Sequence, residues 1–153
     1  MGVSTLRQAI QRNRLLFLDT MVFVYHLNRH PTYGPGVREV LEQVEAGNVR
    51  AITSALTVAE ILTGPAQQGN NAAVANFELY LRHFPNLDII DVGLEHARQI
   101  AQVRAQTGLR LPDSVQIAVA QAAGAQAIVT NDRKWRGRVG SLALILLDDY
   151  LAN

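Results

Sequence analysis

Short apolar runs alternate with longer amphipathic stretches along the chain. The runs are rich in Leu, Ile and Val and have the length of buried strands. They are LLFL (15–18), VRAITS (49–54), LDIIDV (87–92), AIVT (127–130) and LALILL (142–147). Strands and helices that alternate at this spacing predict an α/β fold, in which helices flank both faces of a parallel β-sheet of about five strands.

The segments between the runs carry apolar residues at helical spacing. Such spacing predicts helices around Val37–Val44, around Val74–Phe84, and over 55–63, 94–106 and 113–123. A short helix over 4–13, capped by Ser4, is predicted to precede the first strand. The stretch GPAQQGNN (64–71) is predicted to be a loop between two helices.

The composition is typical of one globular domain. The chain has 153 residues, 48% of them hydrophobic and 18% charged, so we expect a single domain over 1–153 with 1–14 as a helical preface. The absence of cysteine excludes disulfides, thiolate metal sites and a cysteine nucleophile. No apolar run has the length of a signal peptide or a membrane span, so we expect a cytoplasmic protein without membrane contact.

Four carboxylates stand at the ends of the predicted elements. Asp19 follows the first strand, Asp132 follows the fourth, Asp113 begins the helix after Pro112, and Glu60 lies on the second turn of the helix over 55–63. Ligands of parallel α/β sheets bind beyond the carboxyl ends of the strands. If the first and fourth strands are neighbours, the four acids converge on one edge of the sheet.

Each acid also has a simpler interpretation. Asp19 and Asp132 are suitable N-caps, Asp113 favours the positive end of a helix, and Glu60 fits the solvent face of its helix. Four acids in one site repel one another, however, and are best explained by a bound cation. Oxygen ligands favour Mg²⁺ or Mn²⁺, which can activate a water molecule and stabilise charge on a phosphodiester. This spacing is equally compatible with phosphatases and phospho-acceptor domains.

Four blocks of the sequence stand together with the four acids: FLDTMVFVYHL (17–27), TSALTVAEILTGP (53–65), LRLPDSVQIAVAQAAGAQAIVTNDRKW (109–135) and LILLDDYL (144–151). Together they resemble the PIN domain family, and most of all its VapC-type toxin ribonucleases of type II toxin–antitoxin systems. The LPD-x-x-Q-x-A-x-A block followed by TND is the most specific of these. The resemblance extends from about Leu16 to Leu151.

The resemblance implies a PIN-like sheet and an Mg²⁺- or Mn²⁺-dependent endoribonuclease, a hydrolase in which metal-activated water attacks RNA. The catalytic, metal-binding acids then fall on Asp19, Glu60, Asp113 and Asp132. Polar supporting positions fall on Thr20, Ser54, Thr130 and Asn131. Met21 replaces an Asn common in the family, which puts one supporting hydrogen bond in doubt. The resemblance also implies a small antitoxin partner and a homodimer.

A basic cluster follows Asp132 and is a candidate RNA-binding segment, composed of Arg133, Lys134, Trp135, Arg136 and Arg138. Its arginines suit phosphate, and its tryptophan suits either base stacking or core packing. Arginine supplies 13 of the 14 basic residues, which a compositional bias of the genome would also explain. The formal net charge is +1, and neutralising the four acids with metal changes it to +5, so near-neutrality does not exclude an RNA substrate.

Three other functions remain open at this stage. They are a housekeeping PIN nuclease of RNA processing, a non-catalytic RNA- or protein-binding PIN module, and a metal-dependent phosphatase of another α/β ancestry. Asp148 and Asp149 are predicted to be surface charges, Asp88 and Asp91 to flank a strand, and the four histidines to be structural or surface residues. Tyr25 and Tyr33 are expected to border a substrate groove.

Overall fold

Five parallel strands form one sheet in the computed structural model, which describes residues 2–152. Their order across the sheet is β3-β2-β1-β4-β5. The strands are β1 (Leu15–Leu18), β2 (Arg50–Ser54), β3 (Leu87–Ile90), β4 (Ala127–Thr130) and β5 (Ala143–Leu146). All five predicted strands are confirmed, three of them one or two residues shorter than predicted.

Eight α-helices and one 3₁₀ helix accompany the strands within residues 2–152. The α-helices are α1 (Val3–Gln11), α2 (Thr20–Leu27), α3 (Gly34–Glu45), α4 (Ala55–Gln67), α5 (Asn71–Arg82), α6 (Leu94–Thr107), α7 (Leu111–Ala122) and α8 (Asp148–Leu151). The 3₁₀ helix is Arg133–Trp135, directly after Asp132. The helices predicted from apolar spacing are therefore present, and the predicted α/β fold class is confirmed.

Alternate residues of each strand enter two separate cores. Leu16 and Leu18 of β1 pack in one core with α1, α2, α3 and α5, whereas Phe17 packs in the other with α6 and α7. All three side chains are fully buried. Side chains alternate between the faces of a strand, so an uninterrupted apolar run is what a sheet covered on both faces requires.

The direction in which strands are added to the sheet reverses between β1 and β4. These two strands pair in parallel, with Leu18 opposite Val129, and the Asp19 amide donates to the Val129 carbonyl at 3.0 Å. The connections after β1 and β4 leave in different directions and open a crevice between them. The first and fourth strands are thus neighbours, which is the condition for the acids that follow them to meet.

Two local predictions are wrong. Ser4 does not cap α1, because the helix begins at Val3 and Gly2 precedes it; buried Leu6 and Ile10 hold the helix in the core instead. The stretch 64–71 is not all loop, because α4 continues through Pro65 to Gln67. Pro65 has no N–H to donate to the carbonyl four residues before it, so the helix loses one hydrogen bond there and ends two residues later.

Within residues 2–152, every helix is too short or too polar to cross a membrane.

Candidate functional site

A pocket of about 190 Å³ lies at the carboxyl ends of β1 and β4. All four acids singled out from the sequence line it. Its lining residues are Asp19, Thr20, Met21, Glu60, Arg110, Pro112, Asp113, Gln116 and Asp132. The sheet order brings together side chains that lie as far as 113 positions apart in the sequence.

Asp19 occupies the N-cap position of α2, but its side chain makes no capping hydrogen bond. It is 8% exposed, and its Oδ2 accepts a hydrogen bond from the Thr130 hydroxyl at 2.7 Å. Burial raises the pKa of Asp19 to about 6, opposed by the Thr130 hydrogen bond and reinforced by repulsion from Glu60 and Asp113. Hydrogen bonds from the protein therefore offset only part of the unfavourable burial of this carboxylate charge.

The Thr130 hydroxyl connects two of the acids. It donates to Asp19 and accepts from the backbone N–H of Asp132 at 3.1 Å. Asp132 also caps the 3₁₀ helix, since its Oδ1 accepts from the Lys134 amide at 2.9 Å. The capping role that the sequence left open for Asp132 is thus present, and the same residue lines the acidic pocket.

Glu60 and Asp113 approach the pocket from two other helices. The Thr20 hydroxyl donates to Glu60 Oε1 at 2.9 Å, so α2 holds a carboxylate that projects from α4. Asp113 lies in the first turn of α7, where the Arg110 Nε is 3.4 Å from its Oδ2. Among the described residues, Arg110 is the only basic one that lines the pocket. One exposed guanidinium offsets little of the charge of four carboxylates.

A buried polar network beneath the pocket was not predicted in full. Gln116 is 1% exposed, donates to the Thr57 hydroxyl at 2.6 Å and accepts from the Ser54 hydroxyl. The Thr57 hydroxyl lies 3.2 Å from that of Thr20, which holds Glu60. Ser54 therefore supports the site indirectly. The sequence feature that could have indicated Gln116 is its position three residues after Asp113, since this spacing places both residues on one face of α7.

Asn131, proposed as a supporting residue, contacts none of the four acids through its side chain. Its amide donates to the Tyr25 hydroxyl at 3.2 Å, and its Oδ1 accepts from the backbone N–H of Asp148 at 2.9 Å. Tyr25 stacks on Tyr33 with ring centroids 4.8 Å apart, and Tyr33 donates to Asp148. Both hydroxyls are hydrogen-bonded within the chain, and the expectation that the two rings border a substrate groove stays a prediction.

Trp135 is 1% exposed and packs in the core with α6 and α7. It cannot stack an RNA base in this position, so the core interpretation is correct and Trp135 leaves the set of RNA-binding candidates. Trp135 is the last residue of the 3₁₀ helix, and its ring anchors the segment after Asp132 in the core.

Two of the basic candidates are paired with the C-terminal helix. Arg133 binds Asp148 at 2.7 Å, and Arg136 binds Asp149. The side chain of Asp148 is only 12% exposed, so its prediction as a surface charge is wrong. The Tyr33 hydrogen bond and Arg133 lower the pKa of Asp148, against the effect of burial. Lys134 and Arg138 are exposed and form no ion pair within residues 2–152.

The donor set of the pocket fits a hard divalent cation. Carboxylate oxygens and waters are what Mg²⁺ and Mn²⁺ bind, and a cation beside Asp19 would favour its charged form against the burial that mainly raises its pKa. Within residues 2–152, no three acid or histidine side chains are close enough together to share one ion. A cation would therefore have to draw the carboxylates inward or retain several of its waters.

A second groove of about 450 Å³ adjoins the acidic pocket and shares Glu60 with it. It lies between α2, α4 and α5, and its apolar lining includes Leu27, Ile61, Pro65 and Phe77. Whatever fills this groove therefore lies beside the acids.

Both the sequence and the fold of the chain are similar to those of known proteins. The sequence model of the PIN domain family matches residues 16–139. VapBC2 from Rickettsia felis, solved bound to a DNA fragment from their promoter, is 25% identical with a TM-score of 0.65, over 85% of this chain and 96% of that one. FitAcB from Neisseria gonorrhoeae is 20% identical with a TM-score of 0.66, over 86% and 97%. VapC20 from Mycobacterium tuberculosis, a toxin that cleaves the sarcin-ricin loop, is 13% identical with a TM-score of 0.64, over 84% and 98%. No curated protein sequence matches the chain.

Proposed function

Because the chain belongs to the PIN domain family, we propose that it is a metal-dependent endoribonuclease and the toxin of a type II toxin–antitoxin pair. The family and the PIN-like fold expected from the resemblance are confirmed. The observation that carries the proposed activity is the pocket that four acids from four different segments of the chain line together. Its position between β1 and β4 is where α/β sheets bind ligands.

In this proposal Asp19, Glu60, Asp113 and Asp132 would hold Mg²⁺ or Mn²⁺. When bound, such an ion supplies a water of lowered pKa and positive charge beside the scissile phosphate. The chain's own residues then orient these ligands. Thr20 holds Glu60, and Thr130 holds Asp19 while fixing the backbone of Asp132.

Lys134 and Arg138 are the exposed cations that we propose for the RNA backbone. Arg133 and Arg136 are already paired with carboxylates, so their contribution to phosphate binding is reduced. Met21 lines the pocket in place of the Asn common in the family and supplies no strong donor there. The Gln116 network offers polar support from below, so the proposal does not depend on a donor at position 21.

RNA cleavage by the purified protein tests the activity. We expect hydrolysis with Mn²⁺ or Mg²⁺ that EDTA abolishes, and Asp19→Asn to reduce the rate by at least about a hundredfold while the fold survives. Asp88→Asn is the matched control, since Asp88 is an exposed aspartate of β3 that binds Arg50 away from the pocket. Cleavage that persists in excess chelator, or at the wild-type rate in Asp19→Asn, would contradict the proposal.

Two other outcomes would favour the alternatives. Hydrolysis of small phosphoesters without hydrolysis of RNA would indicate a phosphatase. RNA binding without hydrolysis in any divalent metal would indicate a non-catalytic binding module. A nuclease whose gene has no neighbouring antitoxin would indicate a housekeeping role in RNA processing.

The proposed partners are a small antitoxin and a second copy of the chain. The R. felis neighbour is a complex of toxin and antitoxin, and the groove that shares Glu60 would let an apolar segment of such a partner lie against the acids. We expect the product of an adjacent small reading frame to co-purify with the chain and to inhibit cleavage. Light scattering after size-exclusion chromatography tests the proposed homodimer. The RNA substrate implies action in the cytoplasm.

A further inference from the structure

Asp148 binds both residues that flank Asp132. On one side, the backbone N–H of Asp148 donates to Asn131 Oδ1 at 2.9 Å. On the other side, the Arg133 guanidinium lies 2.7 Å from Asp148 Oδ2 through both its Nε and its Nη2. Asp132 is thus held between two neighbours that are both anchored to one residue, 16 positions further along the chain.

The anchor is itself fixed by the fold. The Tyr33 hydroxyl donates to Asp148 Oδ1, so the carboxylate is bound on both of its oxygens. Leu147 is fully buried, and its amide donates to the Thr130 carbonyl at 2.9 Å. The residue before Asp148 is therefore bound to the end of β4. Asp149 is the neighbouring acid of the same helix, but it binds Arg136, which does not flank Asp132.

We propose that Asp148 is a positioning residue, which holds the segment Asn131–Arg133 so that the Asp132 carboxylate faces the acidic pocket. This inference rests on the proposed function only in what Asp132 does, namely bind metal. That Asp148 holds the segment is a separate statement, which can be tested without any metal.

Trp135, two residues beyond the segment, reports on how the segment is held. It is the only tryptophan of the chain, it is fully buried, and it lies three residues after Asp132. In metal-free protein, we expect Asp148→Asn to increase acrylamide quenching of Trp135 fluorescence at least about twofold, because a neutral amide forms no ion pair with Arg133 and only a weaker hydrogen bond. Asp149→Asn, on the same helix and of the same charge, should leave the quenching unchanged. Tyr33→Phe removes one hydrogen bond only and should give a smaller increase, which keeps the test available if Asp148→Asn unfolds.

Mn²⁺ titration tests the effect on the site. Loss of a residue that orients a metal ligand weakens metal binding by about 10–100-fold, so we expect about a tenfold loss in Asp148→Asn and no loss in Asp149→Asn. In an Asp132→Asn background, Asp148→Asn should cause no further loss, because its effect passes through Asp132.

Three results would overturn the inference. The first is unchanged Trp135 quenching in Asp148→Asn, and the second is an equal increase in quenching in Asp149→Asn. The third is that Asp148→Asn lowers Mn²⁺ affinity as much in the Asp132→Asn background as in the wild type. If the wild-type protein binds no Mn²⁺, the proposed function fails at that step, and the quenching series alone decides whether Asp148 holds the segment.

Discussion

Replacing Asp19 with Asn should stabilise the protein when divalent metal is absent. Asp19 is buried, and burial raises its pKa from 3.8 to about 6, with Glu60 and Asp113 adding repulsion. Asparagine has nearly the same shape, and its Oδ1 can still accept the hydrogen bond of the Thr130 hydroxyl. The substitution therefore removes a buried charge and keeps the packing.

The magnitude follows from the pKa. When a carboxyl group has a higher pKa in the folded than in the unfolded state, the folded protein becomes less stable as the pH rises. The reason is that the carboxyl group of the unfolded chain releases its proton at a lower pH. The loss begins near the unfolded pKa of 3.8 and is complete above about pH 6. Each pKa unit corresponds to about 1.4 kcal/mol, so Asp19 costs the metal-free fold about 3 kcal/mol at neutral pH. The cost falls below about 1 kcal/mol near pH 4.

Urea denaturation in EDTA measures this effect. We expect Asp19→Asn to raise the free energy of unfolding by about 1–3 kcal/mol near pH 7.5 and by less than about 1 kcal/mol near pH 4. Asp88→Asn should change it little at either pH, since Asp88 is exposed. Saturating Mn²⁺ should stabilise the wild type and not Asp19→Asn. A variant that is no more stable than the wild type at neutral pH, or whose gain is the same at both pH values, would refute the reasoning.

Three further predictions concern other residues of the site. Gln116→Ala should lower the free energy of unfolding in urea by about 2–4 kcal/mol, because it leaves buried hydroxyls unsatisfied and opens a cavity; a loss below about 1 kcal/mol would contradict this. Arg110→Ala should tighten Mn²⁺ binding in a titration, since the guanidinium competes for Asp113, and weaker binding would show that Arg110 supports the site instead. Trp135→Ala should cost about 3–5 kcal/mol of stability, whereas Lys134→Ala should weaken RNA binding and leave the unfolding transition in place; the reverse pattern would restore Trp135 as an RNA contact.

The fold was predictable because its signals are local. LLFL and AIVT are apolar without alternation, and only strands covered on both faces need such runs, as Leu16 and Phe17 in opposite cores show. The error at 64–71 arose because Gly64 and Pro65 are read as breakers in any short window. The helix continues through Pro65 with the loss of one backbone hydrogen bond, and it ends only two residues later.

The site was predictable only at the level of which acids stand at element ends. The position of Gln116 in the LPD-x-x-Q block was visible, but its partners on β2 and α4 were not, because nothing local links Ser54 or Thr57 to α7. The two interpretations of Trp135 differ only in which way one ring points, and the sequence carries no information on that. Its burial on the α6–α7 side decides the matter.

The sequence by itself determined five strands, their alternation with helices, three carboxylates placed where strands end or helices begin, and a fourth, Glu60, on the second turn of a helix. Periodicity and residue type are local properties of the sequence, so they can be recognised without knowing the tertiary structure. Only the tertiary structure decided that β1 lies beside β4, so that Asp19 and Asp132 share one pocket, and that Asp148 binds both neighbours of Asp132. Pairing between distant segments depends on the packing of the whole sheet, and the same aspartate is a surface charge or a part-buried anchor according to what that packing places against it.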